Sequence, residues 1–297
     1  MAANSFLSQY KTANIAIKLI VINLAVFIVF NILPWIVQVD NNVFTRYFVL
    51  PTDLSRLIQQ PWSILTYAFL HNGFLHILFN MLFLYVFSKF ILNIFSEKRF
   101  LTIYLLGGIA GGLTFILMYF LLPAFKGNSV LLGASAAVNA IIVFIATYSP
   151  NTPIRVFTFN LKLWHIAAFV VLRDVLTLNS SSNAGGLISH LGGAAFGYVY
   201  AVQLAKGNDI GIWFERIMDT IANWFSKKPK TKKAKMRTVH RSAKKSTPKS
   251  TKTTKPPVSK SNQQQQIDAI LDKISKSGYD SLSKAEKDFL FKAGKDN

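Results

Sequence analysis

The sequence predicts an all-α, polytopic membrane protein, and three observations carry that prediction. Charged residues make up only 15% of the 297 positions against 51% hydrophobic ones, where soluble chains carry about 25% charge. Six apolar stretches are long enough to cross a hydrocarbon core of about 30 Å, which takes roughly 20 residues of helix. The formal charge of +20 is confined largely to one tail: residues 1–226 hold 13 basic and 7 acidic residues, residues 227–260 hold 14 basic and none acidic, and residues 261–297 hold 6 of each. The absence of cysteine excludes a disulfide scaffold, a thiol nucleophile and a cysteine zinc site.

In chain order the six stretches are Ile15–Val37, Ile64–Phe95, Phe100–Leu122, Val130–Tyr148, Leu161–Leu178 and Leu187–Ala205. The first is too long for a signal peptide and no small-x-small cleavage site follows it. Small residues collect in the third, fourth and sixth (Gly107, Gly108, Gly111, Gly112, Gly133, Gly192, Gly193, Gly197), where they let helices approach closely in lipid. Lys11, Lys18, Lys89, Lys98, Arg99, Arg155, Lys162 and Lys206 fall on one set of ends, and Arg46, Arg56 and Lys126 on the other. The richer side faces the cytoplasm, so both termini are expected inside.

Four regions follow: a six-helix membrane domain over 1–206, an amphipathic interfacial helix over 207–226, a disordered basic linker over 227–262, and a small helical hairpin over 263–297. The interfacial helix presents Ile212, Trp213, Phe214, Ile217, Ile221 and Trp224 on one face. The linker is rich in Lys, Thr, Ser and Pro. Beside a membrane it is drawn to anionic lipid; no aromatics alternate with its charges, and nucleic acid is not an expected partner. In the hairpin, Ile267, Ile270, Leu271 and Ile274 recur with helical spacing, Gly278 breaks the run, and Ser283 with Glu286 forms a capping-box pattern.

Polar groups inside spanning helices are expensive, and each is a site hypothesis. They are few: His71, Asn72, His76 and Asn80 in the second stretch, Ser135 and Asn139 in the fourth, Arg173 and Asp174 in the fifth, Ser189 and His190 in the sixth. Stretches two, four and six run from outside to inside. His71 and His76 then sit in the first turns of the second. Ser135 lies about eight residues after the preceding turn, roughly 10 Å below the outer surface, and His190 at a similar depth. A serine and a histidine at one level suggest a nucleophile and its general base. His76 and Asn80, at i and i+4, share a helical face and both offer N–H groups to a developing oxyanion, with the Ser135 amide a third donor. Taken singly, a serine in a membrane helix is usually a packing residue and a histidine an interhelical hydrogen bond. Only their joint placement favours chemistry. His71 and His76 are about 140° apart on a helix with no partnering carboxylate, so no metal is expected.

At these residues the sequence resembles the rhomboid family of intramembrane serine proteases. HNGFLHILFN carries the family's His-x4-His-x3-Asn pattern as His71, His76 and Asn80; GASA carries most of the Gly-x-Ser-Gly motif as Gly133 and Ser135; SHLGGAAFG carries His-x2-Gly-x3-Gly as His190, Gly193 and Gly197. The resemblance covers about residues 10–205. It implies a six-transmembrane-helix bundle with Ser135 as nucleophile and His190 as general base, a dyad with no third acid, and His76 and Asn80 with the Ser135 amide as oxyanion hole. It further implies close packing through Gly133, Gly193 and Gly197, a membrane-embedded first loop over Asp40–Gln60, and helix five as a lateral gate. The substrates implied are single-span membrane proteins cut near the outer face through an acyl-enzyme, without a cofactor, in an integral protein of a bacterial inner membrane with cytoplasmic termini. One departure matters. Ala136 stands where the family motif usually has Gly, and its methyl must be accommodated. Asp174 is assigned to Arg173 and not to the site, because its helix runs opposite to the motif helices. The rival expectation, a non-catalytic rhomboid-like protein that binds membrane clients, would normally have lost the serine or the histidine. A transporter or channel would show buried carboxylates along a through-path or discontinuous helices.

Overall fold

The computed structural model describes residues 6–122, 125, 127–156, 158–179, 181, 183–225 and 261–293, and the chain forms two compact units, 1–230 and 231–297. The first unit is mostly helical. Its principal helices are α1 (Ile15–Ile36), α2 (Phe74–Leu92), α3 (Glu97–Leu121), α4 (Ser135–Tyr148), α5 (Leu163–Thr177), α6 (Ala184–Ala205) and α7 (Ile212–Phe225). By length and composition α1, α2 and α3 can cross a membrane, and α4 is apolar but shorter. Large apolar side chains stand exposed along α1, α2, α3 and α5, among them Ile36, Phe79, Phe120, Phe169 and Leu176. Apolar exposure of that extent marks a surface that is covered by lipid or protein.

Local sequence sets the helix ends. Asn14 accepts from the Ile17 amide at the start of α1, Ser96 from Arg99 at α3, and Asn183 from Gly186 at α6, each satisfying a donor that a helix N-terminus leaves open. Pro34 lacks an N–H and its ring crowds the carbonyl four residues back, and α1 widens into a π-turn over Ile28–Ile32 just before it.

The expected second span is interrupted. Ile64–Phe95 divides into a short turn (Ser63–Thr66), a 3-10 turn (Tyr67–Phe69) and then α2, which begins after Gly73 at φ 97°. His71 therefore precedes the helix instead of occupying its first turn. The fourth stretch is also shortened: Val130–Leu131 is β2, paired antiparallel with β1 (Leu50–Pro51), and the helix begins at Ser135 itself. The depth reckoned along a continuous helix does not apply, and Ser135 sits at a helix mouth. The all-α expectation needs a second small amendment, since β3 (Pro153–Val156) and β4 (Phe159–Lys162) form a hairpin between α4 and α5.

Helix α4 is the centre of the unit: every residue from Ala136 to Ala146 is buried. Its contact with α6 is unusually close. A Cβ on Gly193 would lie 2.1 Å from the Ala136 carbonyl oxygen, and one on Gly197 would lie 2.3 Å from that of Ala140. Only hydrogen fits between these backbones, so the two glycines set the helix separation. At the other end of α6, Tyr200 donates to Asp209 at 2.8 Å, Asp209 pairs with Arg99 at the start of α3, and Lys98 pairs with Asp219 of α7. Charged residues thus fasten one side of α7 to the bundle while Trp213, Ile217, Ile221 and Trp224 remain exposed.

In the second unit, α8 (Ser261–Ser277) and α9 (Lys284–Ala293) are joined through Gly278 at φ 78° and a 3-10 turn. The Ser283 amide donates to Glu286 at 2.7 Å, and the Glu286 amide to Ser283 Oγ at 3.4 Å. These are the reciprocal bonds of a capping box. Residues 226–260, and with them nearly all of the expected basic linker, lie outside the described residues.

Candidate active site

Four structural features converge on Ser135. The β1–β2 pair ties the loop that follows α1 to the segment before it. Gly133 donates its amide to the Tyr67 carbonyl at 2.9 Å and holds φ at 128°, a conformation that favours glycine. A Cβ there would meet the His76 ring at 2.8 Å. As the first residue of α4, Ser135 has an N–H with no intrahelical acceptor, at the positive end of the helix dipole.

The serine hydroxyl lies 2.7 Å from His190 Nε2 on α6. The other ring nitrogen, Nδ1, lies 3.0 Å from Asp174 Oδ2 on α5. A carboxylate only accepts, so Nδ1 carries the proton and Nε2 is free to accept from the serine. Here the structure corrects the sequence reading of Asp174. Because α5 runs antiparallel to α4 and α6, its last turn stands level with their first turns. Arg173 does bind Asp174, through Nε at 2.9 Å, but only at Oδ1. The position of Asp174 near the C-terminal end of the fifth stretch was the available signal.

His76 reaches the site from α2. Its Nδ1 accepts from the Asn72 amide at 3.3 Å, which places the ring proton on Nε2. That nitrogen lies beside Gly133, two residues before Ser135. Asn80 donates one N–H to the His76 carbonyl at 2.8 Å, leaving its second N–H for another acceptor. His71 is buried, neither ring nitrogen has a hydrogen-bond partner among the described residues, and its ring packs edge-on against His76 with centroids 5.1 Å apart. The two rings meet because His71 lies off the helix, so the 140° separation expected for a continuous helix does not hold.

Ala136 turns away from the serine. A Cβ on Gly111 of α3 would lie 2.5 Å from the Ala136 methyl, so the extra carbon is housed by a glycine on the neighbouring helix. Gly193 and Gly197 perform the packing expected of them. A cavity of about 960 Å³ opens between α2, α4, α5 and α6 and is lined by His76, Asn80, Ser135, Arg173 and His190.

Fold and site define a polytopic helical membrane protein with a serine–imidazole pair at the mouths of two tightly packed helices. The Rhomboid domain family model matches residues 58–207, just over half of the chain, and the chain belongs to that family. A second match, to a family of unknown function (DUF6576), covers residues 256–292. The chain is 29% identical over 158 residues to RHOMBOID-like protein 12, mitochondrial, of Arabidopsis thaliana, covering 49% of this chain and 47% of the relative. It is 27% identical over 193 residues to the Bos taurus presenilin-associated rhomboid-like protein, mitochondrial, covering 63% and 48%. It is 26% identical over 214 residues to Rhomboid protein 1, mitochondrial, of Saccharomyces cerevisiae, covering 71% and 59%. The chain thus spans about half the length of the curated relatives it matches.

Proposed function

We propose that this protein is an intramembrane serine endopeptidase. The observation that carries the reading is the 2.7 Å approach of Ser135 Oγ to His190 Nε2, made by residues 55 positions apart on two helices and opening onto a cavity. A serine alcohol is a weak nucleophile until a base takes its proton. Ser135 attacks the scissile carbonyl as His190 accepts that proton. The oxyanion meets N–H donors from His76, Asn80 and the Ser135 amide. His190 then protonates the leaving amine, and water entering from the outer side hydrolyses the acyl-enzyme.

In this reading the chain crosses the membrane six times, with α4, α5 and α6 completing the set begun by α1 to α3, and both termini are cytoplasmic. The three short N-terminal mouths that hold His76, Ser135 and His190 lie toward the outer face. Substrates are single-span membrane proteins with small or helix-destabilising residues near that face, because a helical peptide bond must unwind before attack. The basic tail lies against anionic lipid. The membrane proposed is a bacterial inner membrane; the relatives quoted above are mitochondrial by name. Because the chain has no cysteine, single introduced cysteines and an impermeant thiol reagent report the sidedness of each loop directly.

The deciding experiment reconstitutes the wild type and Ser135→Ala in liposomes with a single-span reporter. Cleavage that vanishes in the variant supports the proposal; cleavage that continues unchanged refutes it.

A further inference from the structure

We propose that Asp174 is a positioning residue for His190, and that the site therefore operates as a triad whose acid is carried by the peripheral helix α5. The inference rests on the protease reading above and adds a member to its machinery. Three observations support it. The first is geometric: Asp174 Oδ2 faces His190 Nδ1 at 3.0 Å, while the opposite ring nitrogen faces Ser135 Oγ at 2.7 Å. One proton on Nδ1 satisfies the carboxylate and leaves Nε2 as the acceptor that the serine needs.

The second is burial against the trend of the helix. Phe169, Leu172 and Leu176 of α5 are 67%, 57% and 78% exposed, yet the Asp174 side chain is 1% exposed. Leu163 and Asp174 are the buried residues of that helix. A buried carboxylate is costly unless its lone pairs are used. Here the two oxygens are divided, with Oδ1 taken by Arg173 and Oδ2 by His190. A purely structural ion pair with Arg173 would need no approach to the histidine.

The third is location. Phe169, Val170, Arg173 and Thr177 of α5 line the same cavity as Ser135. The contact that orients the base is thus also a contact that seats the outer end of α5 beside the cavity. During attack the Ser135 Oγ–carbon bond forms, the hydroxyl proton passes to His190 Nε2, and the imidazolium stands between its two partners. Asp174 stabilises that cation and takes up no proton. The proton leaves on the departing amine.

The test uses the full chain in detergent micelles or liposomes. The 15N shifts of the His190 ring report its tautomer without reference to activity, and the wild type is expected to carry its proton on Nδ1. Asp174→Asn is expected to lower both kcat on a single-span reporter and the rate of fluorophosphonate labelling at Ser135 by about 100-fold or more, as loss of the orienting carboxylate does in serine hydrolases. KM is expected to stay within about twofold, because the group acts through His190 and not on substrate. Asp174→Glu should recover part of the rate. Wild-type labelling and kcat in Asp174→Asn would overturn the proposal, as would a wild-type His190 protonated on Nε2. If Asp174→Asn does not fold, the wild-type tautomer decides. If the wild type neither labels nor cleaves, the protease reading fails, and the tautomer still decides whether Asp174 orients the ring.

Discussion

Gly193 offers the sharpest test of how packing makes the site. A Cβ at this position would sit 2.1 Å from the Ala136 carbonyl oxygen, where carbon and oxygen need about 3.2 Å or more. Gly193→Ala must therefore move α6 away from α4 by about 1 Å. Ala136 adjoins Ser135, and Gly193 lies one turn from His190, so the separation falls on the pair itself. Stretching a 2.7 Å contact by that amount takes it beyond hydrogen-bonding range. Overpacking of this kind costs about 1–3 kcal/mol of stability, and a misplacement of 1 Å at a reacting centre costs about 100-fold in rate. The assay measures fluorophosphonate labelling and reporter cleavage beside the thermal midpoint in one detergent. The expected result is a large loss of both reactions with a modest fall in midpoint. Wild-type labelling at unchanged stability would mean that the glycines do not set the serine–histidine distance, and the account of the α4–α6 interface would be wrong.

Three further outcomes are expected. Ala136→Gly removes a methyl that faces Gly111 of α3 and not the serine, so stability should fall by about 1–2 kcal/mol in a denaturation series while kcat stays within about twofold. His76→Ala removes the ring whose Nε2 lies beside Gly133, and kcat should fall about 100-fold to 1,000-fold with KM little changed in a steady-state assay. In the terminal unit the Ser283 amide, followed by Lys273, holds the Glu286 carboxyl well below its ordinary 4.5, down to about 2. A depressed carboxyl stabilises the fold above its unfolded value and loses that contribution as pH falls through the folded one. The protection factors of amides at the start of α9, corrected for the intrinsic pH dependence of exchange, should therefore hold between pH 7 and 5 and fall as pH approaches 2.

The motif residues were legible as a set because polar groups in apolar stretches are rare, and Ser135, His190, His76 and Asn80 stood out against their neighbours. The hairpin was legible for a local reason: Gly278, Ser283 and Glu286 are all within a few residues of the turn and cap they form. Span boundaries were less legible. Ile64–Phe95 and Val130–Tyr148 read as continuous apolar runs, since hydropathy does not distinguish a helix from buried turns and a two-residue strand pair. The clamp of Arg99, Asp209 and Tyr200 was invisible because Arg99 lies 110 positions from Asp209 and each member is individually ordinary.

The sequence by itself determined that this chain is a membrane protein with a serine and a histidine brought to one end of its bundle, and it placed the chain in the rhomboid family through motifs whose spacing is local. Tertiary structure alone decided which side chains touch. Asp174 joins His190 because an antiparallel helix ends where its neighbours begin, and the Ala136 methyl is accommodated because Gly111 lies opposite. Distances between residues on different helices depend on how closely backbones pack, and no one-dimensional pattern of hydropathy or spacing contains that distance.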